Sequence, residues 1–153
     1  MVIAEDIKAP EFELKDSEGK NHKLADYAGQ TIVIYFYPKD DTPGCTKEAC
    51  SFRDSYQDFR DAGIEVIGIS PDTEKSHLKF RRKYDLPFVL LADPDHAVCE
   101  LYGVWGVKKN YGREYEGVFR STFIIDPQGI VKRVFKNVKP SDHSQEVLQA
   151  VLA

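Results

Sequence analysis

The chain has 153 residues, of which 42% are apolar and 30% are charged, and its net charge is −4. This balance is typical of one soluble globular domain, here expected over residues 1–153, and it excludes a strongly basic protein that binds nucleic acid. No apolar stretch approaches membrane-spanning length and the N-terminus lacks the layout of a signal peptide, so we expect a cytoplasmic protein without membrane contact.

The first half of the chain predicts a hairpin followed by a β-α-β unit. Residues 12–24 are expected to form a small hairpin that turns at 16–19. The apolar run at 32–37 predicts a buried strand, and a loop rich in proline and aspartate follows at 38–44. Apolar residues at helical spacing then predict a helix at 45–62 that ends at Gly63. The next strand, 64–70, should lie parallel to the first, with a right-handed crossover between them.

The second half predicts further short elements: a helix at 73–84, a strand at 89–92, a helix at 96–102, an exposed loop or ribbon at 106–117, a hairpin at 118–126 and 130–137, and a helix at 141–152. Each of these helices is preceded by residues that are able to cap it, namely Asp72 or Thr73, Asp95, and Ser141 or Asp142. The sum is an α/β fold, a central mixed β-sheet flanked by helices on both faces. The order of a βαβ half followed by a ββα half is thioredoxin-like, here with an N-terminal β-hairpin extension.

Three cysteines in a cytoplasmic chain are more often catalytic or metal-binding than parts of a disulfide framework. Metal binding is the weaker interpretation, because Cys45 and Cys50 lack the close spacing of metal-ligating pairs and the histidines form no paired motif. We therefore expect no metal or other cofactor. Cys99, without a basic neighbour in sequence, is interpreted as a core residue. The four histidines are interpreted as surface or loop residues: His22, His77, His96 and His143.

Cys45 is the strongest candidate for chemistry. It follows a predicted strand and lies in the first turn of a predicted helix, where free backbone N–H groups and the helix dipole favour an anion. A cysteine in this position tends to react as the thiolate. Cys50 follows five residues later and lies off the apolar face of the helix, which makes it more mobile than a core residue.

The spacing of Pro38, Thr42 and Cys45 as Pro-x-x-x-Thr-x-x-Cys resembles the active-site motif of the peroxiredoxins. Arg120, in the segment 119–126, resembles the distant active-site arginine of that family. The segment 46–54 resembles one branch more narrowly, that of the bacterioferritin comigratory proteins, also called peroxiredoxin Q. Further similarity at 9–12 and 102–106 extends the resemblance over nearly the whole chain.

The resemblance implies a thioredoxin fold and thiol-dependent reduction of hydrogen peroxide or organic hydroperoxides. It assigns Cys45 as the peroxidatic cysteine, which becomes a sulfenic acid, and Cys50 as the resolving cysteine. It also implies a thioredoxin or glutaredoxin-like reductant and a monomeric protein.

The chemistry assigns each remaining candidate a task. Thr42 is expected to aim its hydroxyl at the sulfur or the peroxide, and Arg120 to hold the thiolate ionised and polarise the peroxide. Pro38 is expected to shape the loop and exclude water. Glu48 is interpreted either as an acid that the helix dipole favours or as a partner that orients Arg120.

Helix geometry limits the proposed disulfide. Residues five apart on an α-helix have Cα atoms roughly 8–9 Å apart, whereas a disulfide needs less than about 7 Å. A Cys45–Cys50 bond therefore predicts that the first turns of the helix unwind in each catalytic cycle. Two other functions stay open at this point: a thioredoxin-like disulfide reductase, and a redox-regulated binding or chaperone-like protein.

Overall fold

The computed structural model describes residues 2–141 and 143–152. The helices are α1 (Pro43–Asp61), α2 (Glu74–Tyr84), α3 (Ala97–Leu101) and α4 (His143–Leu152), with a short 3-10 helix at Leu24–Tyr27. The strands are β1 (Glu13–Asp16), β2 (Asn21–Lys23), β3 (Thr31–Phe36), β4 (Ile64–Ser70), β5 (Val89–Ala92), β6 (Trp105–Asn110), β7 (Arg113–Val118), β8 (Ser121–Ile125) and β9 (Val131–Phe135).

Within the described residues, a seven-stranded sheet has the order β2-β1-β5-β4-β3-β8-β9. The pairs β3–β4 and β4–β5 are parallel and the remaining pairs of this sheet are antiparallel, so the sheet is mixed as predicted. The predicted N-terminal hairpin is β1–β2, which joins the sheet through β5. Strands β6 and β7 form a separate two-stranded ribbon, in agreement with the predicted exposed ribbon.

Helices cover both faces of the sheet. One buried cluster joins Val33 and Tyr35 of β3 to residues of three helices: Phe52 and Phe59 of α1, Phe80 of α2, and Val147 and Leu148 of α4. The shared cluster places α1 and α2 on the same side of the sheet, as the right-handed crossovers predicted along β3, β4 and β5 require. The even-numbered residues of β3 face a second cluster, which includes α3 and the N-terminal segment. This arrangement confirms the thioredoxin-like class, whereas the single domain over residues 1–153 stays a prediction.

Helix α1 begins two residues earlier than the sequence predicts. Pro43 occupies the first helical position, where a missing N–H costs nothing, and Thr42 is the extended N-cap residue. Cys45 is therefore the third residue of the helix and lies in its first turn. Gly63 follows the end of α1 with a φ of 76°, the left-handed conformation expected there.

The caps of the later helices agree with prediction in part. Thr73 caps α2, and its side chain accepts a hydrogen bond from the backbone N of Ser76. The prediction for α3 was wrong, because His96 is the N-cap residue and Asp95 only accepts from Ala97 N at 3.3 Å. Buried Asp93 stabilises the first turn of α3 instead. Its Oδ2 accepts a hydrogen bond from the backbone N of Cys99, the third helical residue, at 2.8 Å. Asp142, one of the two caps predicted for α4, lies outside the described residues.

The histidine prediction was wrong for two of four residues. His77 is fully buried on α2 and His143 is 2% exposed at the start of α4. Both ring nitrogens of His143 are bonded, to Thr122 Oγ1 at 2.7 Å and to Glu146 Oε1 at 2.9 Å. Burial lowers the pKa of His143, although the Glu146 hydrogen bond opposes this. Buried imidazoles are tolerated here because the fold brings partners from distant segments.

Strand β8 begins at Ser121, three residues later than predicted. Val118 instead pairs with Trp105 at the end of the ribbon, so Phe119 and Arg120 connect the ribbon to the sheet. None of the described helices is long and apolar enough to cross a membrane.

Candidate active site

Cys45 lies at the N-terminal end of α1, against the edge of the sheet where β3 ends. Its side chain packs in the same cluster as Ala49 and Phe52, one and two turns further along, as the helical spacing predicts. Cys45 is only 2% exposed, and Cys45 and Cys50 both have free thiols. The thiol thus lies in a nearly dry position next to free backbone N–H groups of the first helical turn.

Arg120 reaches Cys45 from the connection between β7 and β8. Its backbone carbonyl accepts a hydrogen bond from Val138 N at 3.0 Å. Its guanidinium then divides between two partners: Nη2 donates to Cys45 Sγ at 3.3 Å, and Nη1 donates to Glu48 Oε1 at 2.7 Å. The structure therefore brings together three of the candidates that the sequence singled out.

The guanidinium of Arg120 keeps its charge despite its burial. Burial lowers the pKa of this group, but the opposing charges of Glu48 and Cys45 raise it, and the net pKa is raised. Gly44 leaves room for the side chain, because a Cβ there would lie 3.3 Å from Arg120 Nη2. A fixed cation next to a sulfur favours the thiolate over the thiol.

Glu48 is a fully buried acid with one free oxygen. Its Oε1 binds Arg120, whereas Oε2 has no hydrogen-bond partner among the described residues. Burial raises the pKa of Glu48 to about 7, although Arg120 opposes this rise. The side chain therefore gains and loses a proton near neutrality.

Thr42 does not contact the sulfur through a hydrogen bond. Its hydroxyl donates instead to the backbone carbonyl of Lys39 at 2.9 Å. Since that hydrogen is used within the loop, the hydroxyl oxygen is left to accept a bond from another group. Pro38 is half-buried directly after fully buried Tyr37, where it begins the loop that leads to Thr42.

Cys50 is half-buried on the same unbroken helix as Cys45. It borders a groove of about 580 Å³ between α1 and α4, whose other lining side chains are polar or charged. Ser51 and Ser55 of α1 meet Ser144 of α4 there, with oxygen–oxygen distances of 2.5 and 3.1 Å. These polar contacts join the two helices beside Cys50.

Cys99 lies apart from this site. It is fully buried, and burial together with nearby Asp93 strongly raises the pKa of its thiol. The core interpretation of Cys99 is therefore confirmed.

Sequence reasoning missed three residues near the site. Tyr35 is fully buried beneath α1, stacks on Phe52, and has no hydrogen-bond partner for its hydroxyl among the described residues. Lys108 donates from Nζ to Val118 O at 2.9 Å, and burial followed by the charge of Arg120 lowers its pKa. Asp40 is the third, a buried acid in an accessible loop. An acid beside another acid in a loop gives no local sign of burial.

Asp40, Asp72 and His77 each present a ligand atom within 4.8 Å of the others, close enough to hold a metal ion. Asp40 Oδ2 and Asp72 Oδ2 already accept hydrogen bonds from protein donors at 2.5 to 2.8 Å, and Asp40 Oδ2 lies 2.7 Å from His77 Nδ1. The three side chains therefore form part of a buried hydrogen-bond network.

Comparison with known proteins places this geometry in a family. The AhpC/TSA family model matches residues 6–134. The chain belongs to the AhpC/TSA family.

Two relatives and one solved structure support the assignment to this family. Peroxiredoxin Bcp of Bacillus subtilis (strain 168) is 50% identical over 151 residues, which is 99% of this chain and 96% of the relative. Peroxiredoxin Bcp of Escherichia coli (strain K12) is 45% identical over 140 residues, 92% and 90% of the two chains. A structure of the bacterioferritin comigratory protein of Xanthomonas campestris is 39% identical with a TM-score of 0.88, covering 92% and 90%. The chain is thus a peroxiredoxin of the bacterioferritin comigratory protein, or peroxiredoxin Q, branch, and a thiol peroxidase, in agreement with the motif around Cys45.

Proposed function

We propose that this peroxiredoxin reduces hydrogen peroxide and organic hydroperoxides with Cys45 as the attacking thiolate. The observation that carries the proposal is the hydrogen bond from Arg120 Nη2 to Cys45 Sγ, 3.3 Å long, at the start of a 19-residue helix. Alkyl peroxide reduction is described for the related Xanthomonas campestris protein, which supports organic hydroperoxides as substrates.

In the first step the Cys45 sulfur attacks the nearer peroxide oxygen and the O–O bond breaks. The sulfur gains that oxygen and becomes a sulfenic acid, while the other oxygen leaves and takes up a proton as water or an alcohol. The Arg120 cation stabilises the negative charge that grows on the leaving oxygen. The Thr42 oxygen, whose own hydrogen is donated to Lys39, accepts the hydrogen of the bound hydroperoxide and so orients it. Pro38 keeps this side of the loop closed to water.

In the second step the Cys50 thiol attacks the sulfenic sulfur of Cys45. A disulfide forms and water leaves, so the oxygen taken from the peroxide is released. The unbroken α1 holds the two cysteines too far apart for this bond, roughly 8–9 Å between Cα atoms. The first turns of α1 therefore unwind before the bond forms.

In the last step thioredoxin, or a glutaredoxin-like protein, reduces the disulfide by thiol–disulfide exchange. We propose that the protein works as a cytoplasmic monomer in antioxidant defence and redox homeostasis. No cofactor enters this cycle, because the two cysteines and the reductant supply both electrons.

A coupled assay with NADPH, thioredoxin reductase, thioredoxin and peroxide tests this function. We expect NADPH consumption that depends on peroxide and is lost in Cys45→Ser, whereas Cys99→Ala serves as the matched control and stays active. Insulin reduction without peroxide would indicate a disulfide reductase instead. Absence of turnover together with oxidation-dependent binding to unfolded proteins would indicate the chaperone-like alternative.

A further inference from the structure

Asp40 is a buried acid in a loop that is otherwise accessible. It is 7% exposed, while its neighbours Lys39 and Asp41 are both exposed. The loop connects β3 to α1 and carries the Thr42 hydroxyl. A carboxylate is buried at a high cost unless several donors reach it, so its contacts point to a specific task.

The Asp40 side chain ties the loop to two other elements. Its Oδ1 accepts from the Tyr37 hydroxyl at 2.6 Å, and its Oδ2 accepts from Ser76 Oγ at 2.8 Å. The same Oδ2 lies 2.7 Å from His77 Nδ1, whose other nitrogen, Nε2, lies 2.9 Å from the Leu91 carbonyl. A carbonyl only accepts, so Nε2 carries a hydrogen and one further proton is shared between Asp40 and the ring. The loop is thus joined through buried bonds to α2 and β5.

The Asp40 backbone has a separate anchor. Its N–H donates to Asp72 Oδ2 at 2.8 Å, and that oxygen also accepts from Ser70 Oγ at 2.5 Å. Asp72 lies between β4 and α2, on the scaffold rather than on the loop. This bond therefore fixes the direction of a single loop N–H.

That N–H belongs to the same peptide unit as the Lys39 carbonyl. A peptide unit is rigid and planar, so fixing the N–H of Asp40 also fixes the direction of the carbonyl on the other side of the plane. The Lys39 carbonyl is the group that accepts the Thr42 hydroxyl hydrogen at 2.9 Å. The Lys39–Asp40 peptide plane thus links the Asp72 carboxylate to the Thr42 hydroxyl.

We propose that Asp72 and Asp40 are positioning residues for peroxide: they fix the Lys39–Asp40 peptide plane and thereby aim the Thr42 hydroxyl oxygen at the substrate. The inference rests on the proposed attack of Cys45 on peroxide. Neither acid touches substrate, and each acts through Thr42. This role explains why the solvent-exposed loop between β3 and α1 contains a buried acid, Asp40, that takes no direct part in the peroxide reaction.

Asp72→Ala removes the acceptor of the Asp40 N–H and is the central test. We expect single-turnover oxidation of Cys45 by peroxide to slow by ~10- to 100-fold, the usual penalty for a small misplacement of reacting groups. Alkylation of Cys45 by iodoacetamide does not use the Thr42 hydroxyl and should keep the wild-type rate. Loss of both reactions together would overturn the inference, because it would indicate a general disturbance of the thiolate.

Asp41→Asn is the matched control. Asp41 is the next residue in the same loop and also binds α2, through Lys83 Nζ at 2.8 Å and Tyr84 Oη at 2.9 Å. Its contacts are exposed and do not involve the Lys39–Asp40 peptide. We expect wild-type rates in both reactions.

A double-mutant cycle separates positioning from stability. In a Thr42→Val background, Asp72→Ala should cause no further loss, because the hydroxyl that it positions is gone. An equal loss in both backgrounds, or no loss with Thr42 present, would overturn the inference. If the alanine variant does not fold, Asp72→Asn replaces it, because asparagine keeps the side-chain shape but is a weaker hydrogen-bond acceptor. The same double-mutant cycle with Thr42→Val then tests the inference. Wild-type Cys45 that peroxide leaves unoxidised would instead refute the proposed function.

Discussion

Glu48 binds Arg120 through only one of its two carboxylate oxygens. The distance from Oε1 to Nη1 is 2.7 Å, and the other oxygen is buried without a partner among the described residues. The ion pair is therefore only half satisfied, and burial raises the pKa of Glu48 from its ordinary value of 4.5 to about 7. A buried acid with a raised pKa makes the folded state prefer the protonated form.

The stability of the protein should consequently fall as pH rises. In the unfolded chain Glu48 ionises near 4.5, and in the folded protein near 7. Between these values the folded state binds more protons, so the free energy of unfolding decreases with pH, by about 3 kcal/mol in all, and levels off above 7. Urea unfolding from pH 4.5 to 8 measures this. Glu48→Gln should lack that part of the decrease, whereas exposed Glu114→Gln should retain it. An unchanged profile in Glu48→Gln would contradict the assignment.

Replacing Arg120 should slow the peroxide step. We expect Arg120→Met to lower the rate constant for Cys45 oxidation by ~10²–10³-fold, because a preorganised cation is lost from the leaving oxygen. Quenched-flow oxidation followed by mass spectrometry measures this rate constant.

This substitution also leaves Glu48 buried without its cation, so Arg120→Met combined with Glu48→Gln is the appropriate second variant. Arg113→Met, on the exposed part of the ribbon, is the control and should react as the wild type does. A wild-type rate at every pH in the double variant would exclude the proposed role of Arg120.

Cys50→Ser should stop the cycle after the first oxidation. With one equivalent of peroxide we expect the sulfenic acid, or its overoxidised forms, to accumulate at Cys45, because no thiol is positioned to condense with it. Intact-mass measurement detects the added oxygen. Cys99→Ala should still form the disulfide, since Cys99 is fully buried and apart from the site. Rapid full turnover of Cys50→Ser with thioredoxin would show that another thiol resolves the intermediate.

Oxidation should reduce the helix content of the protein. The disulfide requires the beginning of α1 to unwind, so the far-ultraviolet circular dichroism signal at 222 nm should weaken on addition of peroxide and recover with a reductant. Cys50→Ser cannot form the bond and should keep its helicity. Equal helicity in the reduced and disulfide forms of the wild type would contradict the unwinding.

The elements whose structure depends on neighbouring residues alone were predicted well. Examples are the apolar run of β3, the apolar spacing of α1 and the turn between β8 and β9, whose positions agree with the structure. The contact between Cys45 and Arg120 became predictable only through the family resemblance. In sequence Arg120 is an ordinary charge near a strand.

The wrong predictions concern residues whose capping role or burial depends on contacts with distant segments of the chain. Asp93 replaces Asp95 as the main support of α3 because the end of β5 brings its carboxylate to the helix. His77 and His143 are buried because helices place them against partners such as Thr122 from the sheet. Asp40 is a further example, because its partners Asp72, Ser76 and His77 come from a segment more than 30 residues away.

The two ends of the bond between Arg120 and Cys45 are 75 positions apart in the chain. A polypeptide still emerging from the ribosome exposes Cys45 before the arginine has been synthesised. The guanidinium therefore meets the sulfur only after the polypeptide beyond β7 has been made and the sheet has closed.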